Sequence, residues 1–204
     1  MDLNDIRQRL ELLAVSLKRQ NKPPSTTHRE RPVAGSPDKT DIIVRFGTRS
    51  QPELVSDVNS LLGEFAALKD IIGRRLKDLG RDPQLIEDLM NRSLHLQLML
   101  DLNNEVKHGY PLRRYRSGVQ PVISELGEGL HVPAGTKLEV EIDVPSMATT
   151  VGPGPFVTVT GRIRTRDGKE ICTLGKLVDS CLEAYEGFIR DQGLADEIPK
   201  ISRK

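Results

Sequence analysis

The sequence predicts an α+β protein: an antiparallel helical bundle with a small antiparallel β-sheet inserted before the last helix, plus a tethered N-terminal helix. Three observations predict this class. Apolar residues recur at steps of three and four over about 52–79, 82–108 and 177–189, which is typical of helices with one buried face. Over about 120–174 the apolar period changes to two, as in half-buried strands. Proline, glycine and asparagine separate these runs.

The N-terminus, residues 1–19, carries an apolar stripe at helical spacing and is predicted to be an amphipathic helix. The stripe consists of Leu3, Ile6, Leu10, Leu13 and Leu17. Residues 20–40 are rich in proline and polar types, which pack poorly and predict a flexible linker. The tethered helix therefore has two open interpretations: it docks on its own bundle, or it binds a protein partner in a coiled coil.

The main domain is predicted over residues 41–194, and a basic tail over 195–204. Pro52 suits a first helical turn and Gly80 a helix stop, which frames one long helix. Asp82-Pro83 restarts a third helix, and Gly109 followed by Pro111 ends it. Because the link between these two helices is very short, they are expected to pack as an antiparallel hairpin.

The strands are predicted from alternation and from turn residues. Ile42–Phe46 is interpreted as an edge strand or an anchoring segment, and Val122–Leu126 as a strand of the inserted sheet. Apolar residues alternate with polar ones over Leu138–Val144 and Val157–Arg164. Asp167-Gly168 predicts a hairpin turn.

Composition excludes several classes of function. A chain of 204 residues with 37% hydrophobic and 29% charged residues is ordinary for one globular domain, and a net charge of +1 restricts polyanion binding to a local patch. The acidic N-terminus predicts no signal peptide, and no apolar run reaches membrane length. Cys172 and Cys181 are expected to be reduced, packed thiols in a cytoplasmic protein. No metal-ligand spacing occurs, so neither a metal nor a cofactor is predicted; the histidines are His28, His95, His108 and His131.

A polar stripe follows the end of the third helix. Gln97, Asp101, Asn104 and His108 fall on one face of it. A helix C-terminus favours a positive charge, so His108 is expected to protonate readily, with Asp101 or Asn104 holding it. The alternative interpretation is a solvated face that ends in a capping histidine.

The following segment is basic and aromatic. Between Lys107 and Arg116 no acid occurs, and the cations alternate with tyrosines: Lys107, Tyr110, Arg113, Arg114, Tyr115 and Arg116. Guanidinium groups form bidentate hydrogen bonds with phosphates, and tyrosine rings stack on unpaired bases. This composition therefore favours contact with single-stranded nucleic acid. The alternative is a loop paired with the acidic strand face of Glu139, Glu141 and Asp143.

The helix end Asn103-Asn104-Glu105-Val106-Lys107-His108-Gly109, together with its antiparallel partner helix, resembles the HEPN superfamily of helical bundles over residues 41–192. HEPN ribonucleases carry an arginine, a polar residue, three residues of any type and a histidine at this helix end. Asn104 matches the polar residue and His108 the histidine, whereas Asn103 stands in place of the arginine. The resemblance implies a homodimer with paired, metal-independent ribonuclease sites.

The missing arginine decides which activity is expected. The resemblance makes His108, Asn104, Asn103 and Asp101 the candidate catalytic residues, but asparagine cannot supply the cation that stabilises a charged transition state. The leading hypothesis is therefore a catalytically degenerate protein that binds RNA through the Lys107–Arg116 region. The rival hypothesis is a non-enzymatic interaction or oligomerisation module that uses its N-terminal helix.

Overall fold

The computed structural model describes residues 6, 8–10, 13, 26–32, 40–46, 49–132, 135, 140–143, 148–151 and 156–194. It confirms the α+β class, with helices around a small three-stranded antiparallel sheet. The full-length helices of this part are α1 Gln51–Asp78, α2 Gln84–Arg92, α3 Leu94–His108 and α4 Leu174–Asp191. The strands are β1 Thr26–Pro32, β2 Thr40–Phe46, β3 Pro121–His131, β4 Val140–Asp143, β5 Ala148–Val151, β6 Phe156–Thr165 and β7 Glu170–Thr173.

The inserted strands do not form one sheet. In the described part, β3, β6 and β7 make an antiparallel sheet in that order, while β4 pairs only with β5. Along β6 the alternation predicted from sequence is confirmed, because Val157, Val159 and Ile163 are buried. The turn at Asp167-Gly168 is also confirmed, with Gly168 at φ 92.

Part of the predicted linker is a strand. Residues 26–32 form β1, which pairs antiparallel with β2 from Thr26 opposite Phe46 to Pro32 opposite Thr40. Apolar and polar residues do not alternate along β1, so sequence periodicity does not predict this strand. The strand is defined by its backbone pairing with β2. The rest of the linker, 20–25 and 33–39, and the tail 195–204 lie outside the described residues.

The predicted third helix is two helices. Ser93 is extended at φ −110 and ψ 110, ending α2 and capping α3, and its Oγ accepts a hydrogen bond from Leu96 N at 3.4 Å. Serine competes for backbone amides at such positions, which favours a cap over a helix interior. The apolar period hides this break because it continues across Ser93.

The predicted antiparallel hairpin is present. Lys69 of α1 pairs with Glu87 of α2, and further back along α1 Gly63 faces Asn103 of α3. Earlier residues of α1 thus lie opposite later residues of the α2–α3 segment, so α1 runs antiparallel to that segment. α4 closes the core: Tyr185 is buried, stacks on Phe65 with ring centroids 6.2 Å apart, and donates to Phe65 O at 3.0 Å.

The described positions of the N-terminal segment belong to this same core. Ile6, Leu10 and Leu13 are helical and buried among the core side chains. Arg9 Nη1 lies 2.6 Å from Glu64 Oε2 of α1. Of the two open interpretations, these three positions support a helix docked on its own bundle; Leu3 and Leu17 lie outside the described residues.

Cys172 and Cys181 are free thiols, as predicted, and burial raises the pKa of both. His95 is half-buried, and burial together with the Lys176 charge lowers its pKa. Over the described ranges, no helix is both long and apolar enough to cross a bilayer.

Candidate functional site

The site begins where α3 ends. Gly109 adopts the left-handed conformation at φ 71, and its amide donates to Glu105 O at 2.8 Å. This conformation suits glycine and stops the helix at His108, as the sequence predicts. The chain then turns back along α3 and enters β3 at Pro121.

Asp101 anchors this turn. Its side chain is buried, with 2% of its surface exposed, and it accepts from Arg116 N at 2.9 Å, Ser117 N at 2.8 Å and Ser117 Oγ at 2.7 Å. A buried carboxylate must be satisfied by such donors. The sequence correctly marks Asp101 as unusual on an apolar helix. Its partners are two backbone amides and a hydroxyl of the loop, whereas the sequence had suggested that Asp101 or Asn104 holds His108.

Glu105 is a second anchor that the sequence reasoning missed. Tyr115 Oη donates to Glu105 Oε1 and accepts from Leu112 N at 3.0 Å, and Gln120 Nε2 donates to the same carboxylate oxygen at 3.1 Å. Burial and the hydrogen bond to Glu105 raise the pKa of Tyr115. Tyr115 therefore holds the loop in place through its hydrogen bonds to Glu105 and Leu112. A signal for this was available, since Glu105 is the acid nearest in sequence to the basic run.

Arg116 is also engaged. Its Nη2 lies 2.5 Å from Glu87 Oε2 and its Nε donates to Asn91 Oδ1 at 3.2 Å. Lys69 Nζ binds the other oxygen of Glu87 at 2.5 Å. Arg116 thus ties the loop to α2; the side chains of the acidic strand face, Glu139, Glu141 and Asp143, lie outside the described part.

The Glu87 cluster predicts a pH-dependent contribution to stability. Burial pushes the pKa of Glu87 up, but the hydrogen bonds and charges of Lys69 and Arg116 outweigh it and lower the pKa below its usual range. Because the folded-state pKa is depressed, the contribution is complete above the unfolded-state pKa and is lost as pH falls through the folded-state value. In urea denaturation, the stability difference between wild type and Glu87→Gln is expected to be constant near neutrality and to shrink as the pH falls through the acidic range in which carboxyl groups titrate. A difference independent of pH would contradict this.

We define the loop surface as five exposed side chains at this helix end that are charged or carry a ring with a polar atom and are not bound to α2 or α3: Lys107, His108, Tyr110, Arg113 and Arg114. Tyr110 is 62% exposed, and its ring lies 5.7 Å from that of His108, tilted by 39°. Among the described residues, no hydrogen bond or ion pair engages the side chains of Lys107, Arg113 or Arg114. The loop surface therefore presents three cations beside two flat rings.

The two asparagines of the motif occupy a different environment. Asn103 and Asn104 are half-buried, and Asn103 Oδ1 faces Gly63 of α1, 3.9 Å from where a Cβ would stand. Asn103, which the resemblance places at the arginine position of the motif, points its amide oxygen at a neighbouring helix, while His108 is exposed. Of the candidate catalytic residues, only His108 lies on the loop surface.

The described ranges also bear on metal and pocket sites. No group of three His, Cys, Asp or Glu side chains there is placed to hold a metal ion. An open groove of about 460 Å³ lies between the second half of α1 and the start of α2, lined by Lys69, Lys77 and Ile86 among others. Lys69, one of the cations that line this groove, is bound by Glu87 of α2.

Fold and site together define an α+β protein with a basic, aromatic surface at the end of its third full-length helix. Comparisons with protein-family models, curated proteins and solved structures found no match. Function is therefore inferred from the residues of the chain itself.

Proposed function

We propose that the protein binds single-stranded RNA through the loop surface. The observation that carries the proposal is the set of three cations with no partner in the described part, next to the exposed Tyr110 and His108 rings. Phosphates would bind the cations, with Arg113 and Arg114 able to fork onto them. Stacking of an unpaired base on an aromatic side chain contributes about 1–3 kcal/mol, so Tyr110 favours single strands over duplexes.

Carboxylates of α2 and α3 fix the conformation of the loop before RNA binds. Asp101, Glu105 and Glu87 bind the backbone or side chains of Arg116, Ser117 and Tyr115. A loop ordered before binding loses less conformational entropy when the ligand arrives. Tyr115 and Arg116, which the sequence suggested as RNA contacts, then serve to position the loop surface.

The proposal is binding in a HEPN-like, catalytically degenerate protein. His108 and Asn104 are the residues available for any residual, metal-independent cleavage, and Asn103 provides no cation. The proposed protein is a cytoplasmic homodimer in which two loop surfaces border one RNA path. Any RNA cleavage that persists at an equal rate in His108→Ala would exclude a ribonuclease site here.

Removing two cations is expected to weaken binding. For Arg113→Ala/Arg114→Ala, the dissociation constant for a fluorescein-labelled oligouridine should rise by about tenfold at low salt, because two phosphate contacts are lost. The dependence of log affinity on log salt should flatten by about 1.4, since each phosphate on a single strand contributes about 0.7. Fluorescence anisotropy over a salt series measures both.

A matched control removes the same charge elsewhere. Lys77→Ala/Arg190→Ala changes two cations in the last turns of α1 and α4 and should leave the affinity within about twofold. Equal losses of affinity in the loop double variant and the control would contradict the proposal.

Tyr110→Ala should weaken the binding of single-stranded RNA more than the binding of duplex RNA. A series of shorter oligonucleotides, down to a dinucleotide, gives the smallest ligand bound.

The rival function, assembly through the N-terminal helix, has less support. Its basis was an unpartnered apolar stripe, but Ile6, Leu10 and Leu13 of that stripe are already buried in the chain's own core. A partner could use them only by extracting the segment. Light scattering of the full chain tests the proposed dimer independently of RNA.

A further inference from the structure

The outer face of the three-stranded sheet carries a row of arginines. Along β6 the residues that face the core are Val159 and Ile163, so Arg162 and Arg164 project from the opposite, wet face. Arg166 follows two positions later, just beyond the strand, and its Nη1 lies 3.4 Å from Gln120 Oε1. We call these three residues the arginine row. Their two-residue spacing places successive side chains about 7 Å apart.

One carboxylate occupies two members of the row. Glu125 Oε2 lies 2.7 Å from Arg162 Nε, and Glu125 Oε1 lies 2.5 Å from Arg164 Nη2. Each oxygen of the carboxylate thus binds a different guanidinium, as the oxygens of a phosphate can. Glu170 of β7 takes a further donor of Arg162 at 2.6 Å.

The backbone of Glu125 is unusual. It adopts φ 53, the one non-glycine residue with positive φ in the described part of the chain, at a bulge where β3 shifts register between Ser124 and Gly127. Side-chain-bearing residues adopt this conformation at a cost in free energy, and bulges commonly redirect a side chain. The bulge therefore aims a carboxylate at the arginine row.

A chain of side-chain hydrogen bonds links the row to the loop that follows α3. Gln120 accepts from Arg166 and donates to Glu105, and Glu105 in turn accepts from Tyr115 of the loop. Arg166 of the row and Tyr115 of the loop are thus held by the same two side chains, Gln120 and Glu105. Arg164 also has an unused donor, since its buried Nε finds no partner among the described residues.

We propose that the arginine row is a second phosphate-binding surface for the same RNA, and that Glu125 occupies it as an internal anion until phosphate displaces it. The inference rests on the proposed function and deepens it. Arg162, Glu125 and Glu170 have side chains 44%, 52% and 42% exposed, and ion pairs this open to water are weak and screened by salt. Exchange of a carboxylate for a phosphodiester therefore costs little stability.

Glu125→Gln tests the inference because it removes the internal anion and keeps the side-chain shape. Its affinity for labelled oligouridine is expected to rise about threefold to tenfold at low salt, and its salt dependence to steepen by about 0.7–1.4 as one or two more phosphates are contacted. Glu183→Gln, an exposed position on α4, removes the same charge elsewhere and should leave both unchanged. Circular dichroism checks that each variant is folded.

Substituting two arginines of the row shows whether a gain in RNA affinity depends on the row. Adding Arg162→Gln/Arg164→Gln to Glu125→Gln should return the affinity to the wild-type value or below it. A gain that survives this addition, or one equal in Glu125→Gln and Glu183→Gln, overturns the inference. If Arg113→Ala/Arg114→Ala weakens binding while Glu125→Gln changes nothing, the inference fails and the proposed function stands. If neither variant alters RNA binding, both fail.

Discussion

Arg49→Met is expected to lower the free energy of unfolding by about 3–5 kcal/mol, the usual cost of removing one partner from a buried ion pair. The Arg49 side chain is 2% exposed; its Nε lies 2.6 Å from Glu128 Oε1 of β3 and its Nη1 lies 2.9 Å from Asp57 Oδ2 of α1. Glu128 is 8% exposed, so without Arg49 its charge remains largely desolvated. Urea denaturation followed by circular dichroism measures the loss.

The same substitution at an open ion pair is the control. Arg9 pairs with Glu64 at 2.6 Å, but their side chains are 27% and 23% exposed, so Arg9→Met should cost about 1 kcal/mol or less. The double variant Arg49→Met/Glu128→Leu should recover part of the loss, because it removes both buried charges. Equal effects of Arg49→Met and Arg9→Met would show that the Arg49 ion pair holds no special place in the fold.

Asp101→Ala is expected to have the second largest effect, about 3 kcal/mol of unfolding free energy, because hydrogen bonds to a charged group contribute about 1.5–3 kcal/mol each and are not additive. The change leaves the amides of Arg116 and Ser117 and the Ser117 hydroxyl without their acceptor. The loop should then sample more conformations, and RNA affinity should fall about fivefold through the added ordering cost.

Limited trypsin digestion reports this loosening directly, since Arg113 and Arg114 lie in the loop. Cleavage there should accelerate in Asp101→Ala under native conditions, ahead of global unfolding. Asp179→Ala, at an exposed position on α4, should change stability by no more than about 0.5 kcal/mol and leave the cleavage rate unchanged. Wild-type cleavage kinetics in Asp101→Ala would show that Asp101 does not hold the loop.

Features with a local cause were predictable. The end of α3 at His108 follows from Gly109, the turn after β6 from Asp167-Gly168, and the buried face of β6 from alternation at Val157, Val159 and Ile163. The break at Ser93 was equally local, but an uninterrupted apolar period concealed it. β1 was missed for a different reason, because its sequence has no alternation and its order comes from pairing with β2.

The candidate site was predictable in its location and only partly in its roles. The sequence pointed to the end of α3 and to the cations and tyrosines after it, and the HEPN-like motif remains a prediction. Six residues were treated as one basic and aromatic contact region. The structure divides them: Tyr115 and Arg116 bind Glu105 and Glu87, whereas the others stay on the loop surface.

The sequence by itself determined which stretches of the bundle are helical, apart from the break at Ser93, which face of β6 is buried and where basic charge gathers. Each of these features depends on residues within a few positions of one another. Only the tertiary structure decided which charged side chains are paired within the protein and which face the solvent. Asp101 meets Ser117 across 16 positions, Arg49 meets Glu128 across 79 and Tyr185 meets Phe65 across 120. No local period encodes such pairs, since their formation depends on how the packed helices and strands bring distant residues together.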